Sequence, residues 1–563
     1  MKTSTKGMIA QYLKSKGVTK ENRSMMLDMT EPQIPSALLM KDADKFVDRI
    51  YELIMECKRI VVYGDYDADG VCATVATVRI LRELSVILTG KPGKIHYFIP
   101  HRFKDGYGMK PKTIDKMRDK FPKSDVIITV DNGIVAFDAI DYAKSMGYEV
   151  IVTDHHRGID GRNPDTDIVV NPNRYDDDYP FKGISGTTVV YKLFLEVAKR
   201  YCPDKLDQFR AYVDFVGLSV ISDVMPVLYE NRVYLKQALD IFNGVSEHRR
   251  RFAWTSIIEL LTSMKKLSRD KVITEGEFGF TFGPMINAQS RVYGVADTVV
   301  DLFLSMNTED VRSKVAFLFD TNMERKETSD AAFVKAQEVD YSGLNSVIFI
   351  DDTLGDGYIG LIAGRMAEKY NRPAVVFTRG EGGVLKGSAR AGLNSLNLLA
   401  CLRQVEDLTV ALGGHAGAAG LSIKEDKFDE FKERLSAIFD AEIPNDAGDR
   451  KPADFVISSD DLTYDLLNEF ERLGPFGQSF ELPLFEVQNL PIDEVKVMGQ
   501  DKNHLKMVCD GFDVILWNGV PLVGDKAKSS STVTVTGQAA VNEFLNKKTM
   551  QLIARSETSL AFN

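Results

Sequence analysis

Three aspartates at alternate positions, Asp65, Asp67 and Asp69, stand between the apolar run Ile60-Val61-Val62-Tyr63 and Gly70. The β-branched run reads as a buried strand, and Gly70 lets the chain turn into a helical pattern over 71–84. The carboxylates therefore sit at the carboxyl end of a strand, where open α/β sheets carry their ligands. Close-set carboxylates repel one another until a cation neutralises them. Hard divalent ions such as magnesium or manganese prefer oxygen donors of this kind. One Asp-x-Asp alone is commonly a solvated turn, but here the pattern recurs. Residues 125–130 lead into Asp131-Asn132-Gly133, and residues 149–153 lead into Asp154-His155-His156. A helical stretch over 209–221 runs into Ser222-Asp223-Val224-Met225-Pro226 and offers a further acid. The chain has seven histidines, and two of them are adjacent at one strand end. Neutral imidazole completes an oxygen-rich divalent site, and a second histidine can donate to a phosphoryl oxygen.

These residues need a scaffold that brings distant strand ends together. Strand-like runs at 60–63, 94–100, 125–130 and 149–153 alternate with helical patterns such as 136–146. Such alternation predicts a parallel sheet in an α/β fold, with the acids and histidines converging on one edge. A glycine-rich loop, 101–108, follows the second strand. Residues 1–45 read as a polar, helical leader broken by Pro32 and Pro35, and 46–308 as the domain holding the acids. The charged segment 309–339 lacks Pro and Gly and reads as a helix connecting two lobes. A second α/β domain follows over 340–445. It carries Gly387-Ser388-Ala389-Arg390 and the glycine-rich 413–420 around His415, where backbone N–H groups, a hydroxyl and a guanidinium can hold phosphate oxygens. For the glycine cluster a tight packing turn is an equal alternative. Residues 445–452 read as a linker. Beyond 454 a short helix over 462–473 and strand-like runs at 504–509, 513–517 and 532–536 suggest a small β-barrel of the OB type, a fold that binds single strands. The run Asp176–Asp178 reads as a solvated loop, and Arg249–Arg251 as a solvated face that could instead line a nucleic-acid path.

At 563 residues the chain exceeds one core and calls for several domains. Its 44% hydrophobic and 27% charged content is that of a globular protein. The polar start is not expected to be a signal peptide, and no apolar run is long enough to cross a bilayer. The five scattered cysteines form no C-x-x-C pair, which argues against structural zinc and disulfides and fits a reducing cytoplasm. The formal charge of −11 counts mildly against a nucleic-acid binder, although only the local field in a groove matters.

Gly-Asp-Tyr-Asp-Ala-Asp-Gly at 64–70, Val-Asp-Asn-Gly-Ile at 130–134, Asp-His-His at 154–156 and Ser-Asp-Val-Met-Pro at 222–226 resemble the four motifs of the DHH phosphoesterase superfamily. Gly-Gly-His-Ala-Gly-Ala-Ala-Gly at 413–420 resembles its associated C-terminal domain. Three further stretches, 99–108, 284–291 and 474–485, narrow the resemblance to the RecJ-type single-strand exonucleases, over nearly the whole chain beyond the first forty residues. The resemblance implies 5′-to-3′ degradation of single-stranded DNA to mononucleotides with Mg2+ or Mn2+, in recombination and repair. By motif matching, Asp67, Asp69, Asp131, His155 and Asp223 are implied metal ligands, and Asp65 is a ligand or a group bonded behind the ligands. His156 is implied to contact the scissile phosphate. Arg102, Ser388 and Arg390 are implied to hold the 5′-terminal phosphate, and Arg291 and His415 to contact substrate. The last hundred or so residues correspond to the family's OB domain. A cytoplasmic monomer is implied, with a single-strand-binding protein or a helicase as its candidate protein partners and no membrane. Where the family commonly carries a basic residue this chain has Met285, Gln289-Ser290 replaces Ala-Gly, and Gln478-Ser479-Phe480 replaces Gly-Asn-Pro. These departures bear on substrate handling, not on the metal chemistry. Asp131, between two other acidic strand ends, is the candidate ligand shared by two cations about 3.5–4 Å apart. The rival readings are a phosphodiesterase for dinucleotides or cyclic dinucleotides and an inert DNA-binding scaffold. The barrel-like tail speaks against the first and the complete acid and histidine set against the second.

Overall fold

The computed structural model describes residues 5–341, 343–392, 396–443, 452–499, 502–544 and 547–563. The chain divides into two compact units. The first comprises 20–326 together with 475–480, and the second comprises 1–19, 327–474 and 481–563.

The first unit is built on a five-stranded parallel sheet. Its strands are β1 (Arg59–Tyr63), β2 (Lys94–Phe98), β3 (Val126–Val130), β4 (Glu149–Thr153) and β5 (Ile168–Val170), in the order β2-β1-β3-β4-β5. All five residues of β3 are buried. A central parallel strand covered on both faces needs apolar residues throughout, which is why this stretch reads as an unbroken run. Alternate side chains feed two cores. Ile60, Val62, Ile128 and Val130 pack with the helices Ala43–Met55, Ala68–Thr89 and Gly186–Tyr201, while Val61, Tyr63, Ile127 and Val152 pack with Pro111–Lys120 and Phe137–Ser145. Each Val or Ile buried this way contributes about 1.5–3 kcal/mol. The strand order reverses between β1 and β3, so a crevice opens beyond their carboxyl ends. Asp65, Asp67 and Asp131 leave the sheet at that point.

Several expectations are corrected here. The helix expected over 209–221 is two helices, Leu206–Arg210 and Val213–Ser222. Buried Asp214 sits in the first turn of the second, where its carboxylate accepts the Phe215 N–H at 2.9 Å, Arg251 Nε at 2.8 Å and Trp254 Nε1 at 3.0 Å. Arg251 is therefore tied into the fold, its guanidinium 4.1 Å from the Tyr212 ring centroid, and Arg250 donates to the Phe242 carbonyl. The Asp176–Asp178 run is likewise not a free loop. Asp176 pairs with Lys41 and Arg174, and buried Asp177 accepts the N–H groups of Lys41 and Tyr179. The leader expected over 1–45 is divided: residues 20–45 belong to the first unit, whereas helix Thr5–Ser15 belongs to the second. There Tyr12 meets the edge of Phe470 at 5.4 Å and donates to the Glu481 carbonyl, and Lys16 pairs with Glu481 at 2.6 Å.

The long helix runs from Thr308 to Gln337, with its first part in the first unit and its last part in the second. The second unit holds a five-stranded sheet of β6 (Val347–Ile350), β7 (Ala374–Arg379), β8 (Val384–Arg390), β9 (Thr409–Gly414) and β10 (Ala418–Lys424), ordered β6-β7-β8-β10-β9. From Phe455 onward eight strands form one sheet, more than the three strand-like runs picked out from the sequence, with the helices Tyr464–Glu471 and Val520–Ser529. The linker expected at 445–452 lies, apart from its last residue, outside the described residues. Among the described residues no helix is long and apolar enough to cross a membrane, and all five cysteines are free.

Candidate metal centre

Asp67 starts the helix Ala68–Thr89, its carboxylate accepting the Gly70 N–H at 3.0 Å. Gly70 is required, because a Cβ there would lie 2.6 Å from Asp65 Cβ. Asp69, in the first turn, is held from across the crevice by another helix start. Its carboxylate accepts the N–H groups of Gly186 at 2.7 Å and Thr187 at 2.8 Å and the Thr187 hydroxyl at 2.6 Å. A helix N-terminus favours a carboxylate in this way. Asp131 leaves β3 with φ +60°, a left-handed conformation that Asp tolerates better than most residues. Gly186 lets it pass, since a Cβ on that glycine would lie 2.6 Å from Asp131 Oδ1.

The two histidines behave differently. His155 Nδ1 lies 3.0 Å from the Ile184 carbonyl, which can only accept, so Nδ1 carries the proton and Nε2 the lone pair. Nε2 is 3.0 Å from Asp131 Oδ1, 3.5 Å from Asp223 Oδ2 and 3.6 Å from Asp69 Oδ2. Burial, and then the neighbouring His156 charge, hold the His155 imidazolium below its ordinary value. His156 is opposite in character. Burial pulls it down, but the Asp154 carboxylate 2.8 Å from Nδ1 overrides that and holds it at about 10. Asp154 is the organiser of this loop. Buried, it accepts the N–H groups of Ile134 at 2.9 Å, His155 at 2.7 Å and His156 at 3.1 Å. Burial raises its carboxyl, yet the two histidines and these N–H groups bring it down to about 2.

The acids group into overlapping sets of ligand atoms within 4.8 Å of one another: Asp65, Asp67 and Asp131; Asp69, His155 and Asp223; and Asp131, His155 and His156. Burial and then Asp67 push the Asp65 carboxyl to about 8. Burial and the surrounding aspartates, Asp69 foremost, push Asp131 and Asp223 well above the carboxylate range. Asp65 Oδ1, Asp131 Oδ1 and His155 Nε2 are buried and have no hydrogen-bond partner among the described residues. Buried polar atoms are normally satisfied. Oxygen and imidazole donors left open around one space fit hard divalent cations.

Beside this cluster the Arg102 guanidinium lies 4.8 Å from the centre of the Tyr66 ring, and the charges of Arg102 and Arg291 both act on the Tyr66 hydroxyl. Tyr107, not singled out from sequence, places its hydroxyl 3.1 Å from His156 Nδ1. It lies in the glycine-rich loop noted above, but nothing in its spacing marked it out. Asp154 was legible as an acid but not as the organiser, because that role depends on loop geometry. Met285 is buried in the core, and Gln289 donates to Thr298 Oγ1 at 2.8 Å. Ser388, Arg390 and His415 belong to the second unit. Arg390 Nη1 lies 2.9 Å from Ser388 Oγ, both on one face of β8. Gly360 stands opposite, where a Cβ would lie 3.0 Å from Arg390 Nη2 and 3.2 Å from Ser388 Oγ. His415 caps the β9–β10 turn, its Nδ1 accepting the Gly417 N–H at 3.1 Å. Gly414 needs its positive φ for that turn, whereas the cross-strand pair Gly413 and Gly420 has open space where a Cβ would stand. Packing explains the first glycine and leaves the pair as a flat, open surface.

The DHH family N-terminal domain matches residues 59–216, the DHHA1 domain residues 341–441 and the RecJ OB domain residues 453–556. The chain belongs to the DHH family. It carries that family's domains in one order, DHH, DHHA1 and RecJ OB. It is similar to the single-stranded-DNA-specific exonuclease RecJ of Bacillus subtilis, at 29% identity over 97% of this chain and 67% of the relative. The Salmonella typhimurium protein of the same name is 28% identical over 91% of this chain and 89% of its own length. The crystal structure of RecJ in complex with Mn2+ from Thermus thermophilus superposes with a TM-score of 0.78 at 25% identity, covering 99% of this chain and 76% of that one. The fold class expected from sequence, a parallel-sheet DHH domain, a second α/β domain and a C-terminal OB-type domain, is thus confirmed.

Proposed function

We propose that this DHH-family chain is an exonuclease specific for single-stranded DNA that works from the 5′ end with Mg2+ or Mn2+. The observation that carries the reading is the set of buried Asp65, Asp69, Asp131 and His155 with half-buried Asp67 and Asp223, in which three ligand atoms lack any partner among the described residues. Relatives named as single-stranded-DNA-specific exonucleases and a solved relative in complex with Mn2+ support it. Divalent cations bound there would supply water of lowered pKa and neutralise phosphoryl oxygens. Asp131 shares one set with Asp65 and Asp67 and another with the histidines, the placement expected of a ligand common to two cations. Asp69, fixed by the helix start at Gly186, and His155, oriented by Ile184, keep their donors aimed without rearrangement. His156 stays protonated through its Asp154 contact and donates to a scissile phosphate oxygen, and Arg102 attracts the adjacent strand. In the second unit, Arg390 and Ser388 present a fork and a hydroxyl suited to a terminal phosphate, beside the open glycine pair and His415. Recognition of that terminus sets the 5′ polarity and release of mononucleotides. Action as a cytoplasmic monomer belongs to the same reading.

The test uses 5′-labelled and 3′-labelled single strands with manganese or with EDTA. Shortening from the 5′ end with manganese and no cleavage in EDTA is expected. Manganese-independent cleavage, or equal attack on duplex, overturns the proposal.

A further inference from the structure

Phe280 has the most exposed ring of the first unit, 89% accessible, and makes no aromatic contact among the described residues. An apolar ring standing alone in water gains nothing from the fold. Its neighbours hold it there firmly. Phe278 and Phe282, two residues to either side, are fully buried and meet Phe242 at 4.8 and 5.4 Å. The Gly283 N–H bonds back to the Phe278 carbonyl, five residues earlier, so this turn is wider than an α-helical one. Such widened turns are frequent at functional sites.

The turn is packed directly against the stretch that carries Asp223. A Cβ on Gly279 would come within 3.3 Å of Ile221, and one on Gly283 within 2.7 Å of Ser222 Oγ. Asp223 is the next residue, its Oδ2 3.5 Å from His155 Nε2. The strap 475–480 reaches the same stretch. A Cβ on Gly477 would lie 3.4 Å from Ile221 Cδ1, and the Val227 N–H donates to the Gln478 carbonyl at 2.9 Å. Strap residues Gln478 and Ser479 are exposed, and Ser479 has a φ of +65°. Two segments packed on Ile221 and Ser222, just before Asp223, therefore carry an exposed aromatic ring at Phe280 and an exposed residue at Gln478.

We propose that Phe280 is a base-stacking residue, taking the flat face of one unpaired nucleobase of a strand whose phosphate lies at the metal centre. The inference rests on the reading of the substrate as single-stranded DNA. An unpaired strand has bases free to stack, whereas a duplex hides them. One aromatic platform accepts any base, since each has a π-face, and so favours single strands without reading sequence. The role is positioning: the ring places the strand and leaves the phosphate chemistry to the acids and histidines.

The test compares wild type, Phe280→Ala and Phe280→Trp for binding in EDTA to a single strand of roughly 20 nucleotides, longer than one stacking site needs, and to an abasic strand of equal length. With normal bases, Phe280→Ala is expected to lose about tenfold or more in affinity, and Phe280→Trp to retain it. Phe280→Trp should also show fluorescence quenching on binding the normal strand beyond any change seen in wild type, and none on the abasic strand. With manganese, KM should rise in the Ala variant while kcat holds. An unchanged melting temperature would confirm that the exposed ring serves no packing role. Equal affinity of wild type and Phe280→Ala for the normal strand, or equal loss on the abasic strand, overturns the proposal. Wild type that binds neither strand overturns the substrate reading itself, and the stacking role with it.

Discussion

Replacing Asp131 by Asn takes an ionisable carboxyl out of the centre of the cluster and leaves its shape almost unchanged. The side chains are isosteric, and Asn accepts the left-handed backbone at φ +60° as readily as Asp. Asp65 and Asp67 offer oxygens within 4.8 Å of Asp131. Two like charges at that distance repel by about 3.5 kcal/mol at an effective dielectric of about 20, so two ionised neighbours cost about 7 kcal/mol. Whole proteins are stable by only about 5–15 kcal/mol. The metal-free protein must therefore retain protons, as the raised carboxyls of Asp65, Asp131 and Asp223 indicate. Unfolded carboxyls ionise near about pH 4. Between about pH 4 and the folded value of about 8 for Asp65, the folded state holds a proton that the unfolded state has released, so stability falls as pH rises. Retained protons cap the cost in wild type, so Asp131→Asn should stabilise the metal-free protein at about pH 8 by about 2–3 kcal/mol, or roughly 5 °C in Tm. Manganese at about a hundred times its Kd should then raise wild type by about 2.7 kcal/mol and the variant by much less, closing most of the gap between them. The assay is thermal melting from about pH 5 to about pH 9, in EDTA and in manganese. A variant less stable than wild type in EDTA at the upper end of that range, or an equal response to manganese, would mean that Asp131 neither crowds the cluster nor binds the cation.

Arg390→Ala should slow hydrolysis of 5′-phosphorylated strands about tenfold more than that of 5′-hydroxyl strands at subsaturating substrate, and an equal loss on both would sink the terminal-phosphate role. Gly360→Ala should reproduce that selectivity without touching a charge, because its methyl would crowd Arg390 and Ser388; rates with both ends unchanged would show that the pair is not the binding element. Asp154→Asn takes away the carboxylate that holds His156 at about 10. The alkaline limb of the pH–rate profile should move toward the ordinary imidazole value of about 6.5, at a stability cost of about 2–4 kcal/mol for the weakened N–H contacts. An unmoved limb would remove His156 from the reaction.

The strand ends are legible in the sequence because buried parallel strands must be apolar throughout, and the acids beyond them interrupt that pattern abruptly. Periodicity says nothing about which distant segments meet. Helix Thr5–Ser15 therefore reads as part of a leader, although Tyr12 and Lys16 dock on Glu481. The strap 475–480 reads as part of the C-terminal domain, although Arg232 and Glu275 hold its backbone in the first unit. A truncation at 454 would thus remove packing beside Asp223 as well as the OB-type domain. The break before Val213 is hidden for a similar reason: Asp214 is a common helix residue until Arg251 and Trp254 arrive to bond it. A basic run and an acidic run read as solvated, yet single members, Arg251 and Asp177, are locked by partners far away in sequence. Short strands with irregular alternation give too few strands for the C-terminal sheet. Asp67, Asp69, Asp131, His155 and Asp223 follow from motifs, and the structure brings them into one cluster with Asp65.

Anomalous diffraction from crystals grown with manganese would locate the cations among these side chains. Two manganese peaks are expected, one among Asp65, Asp67 and Asp131 and one among Asp69, His155 and Asp223, with Asp131 contacting both. No peak at these side chains, or a single ion without Asp131 as a ligand, would contradict this arrangement.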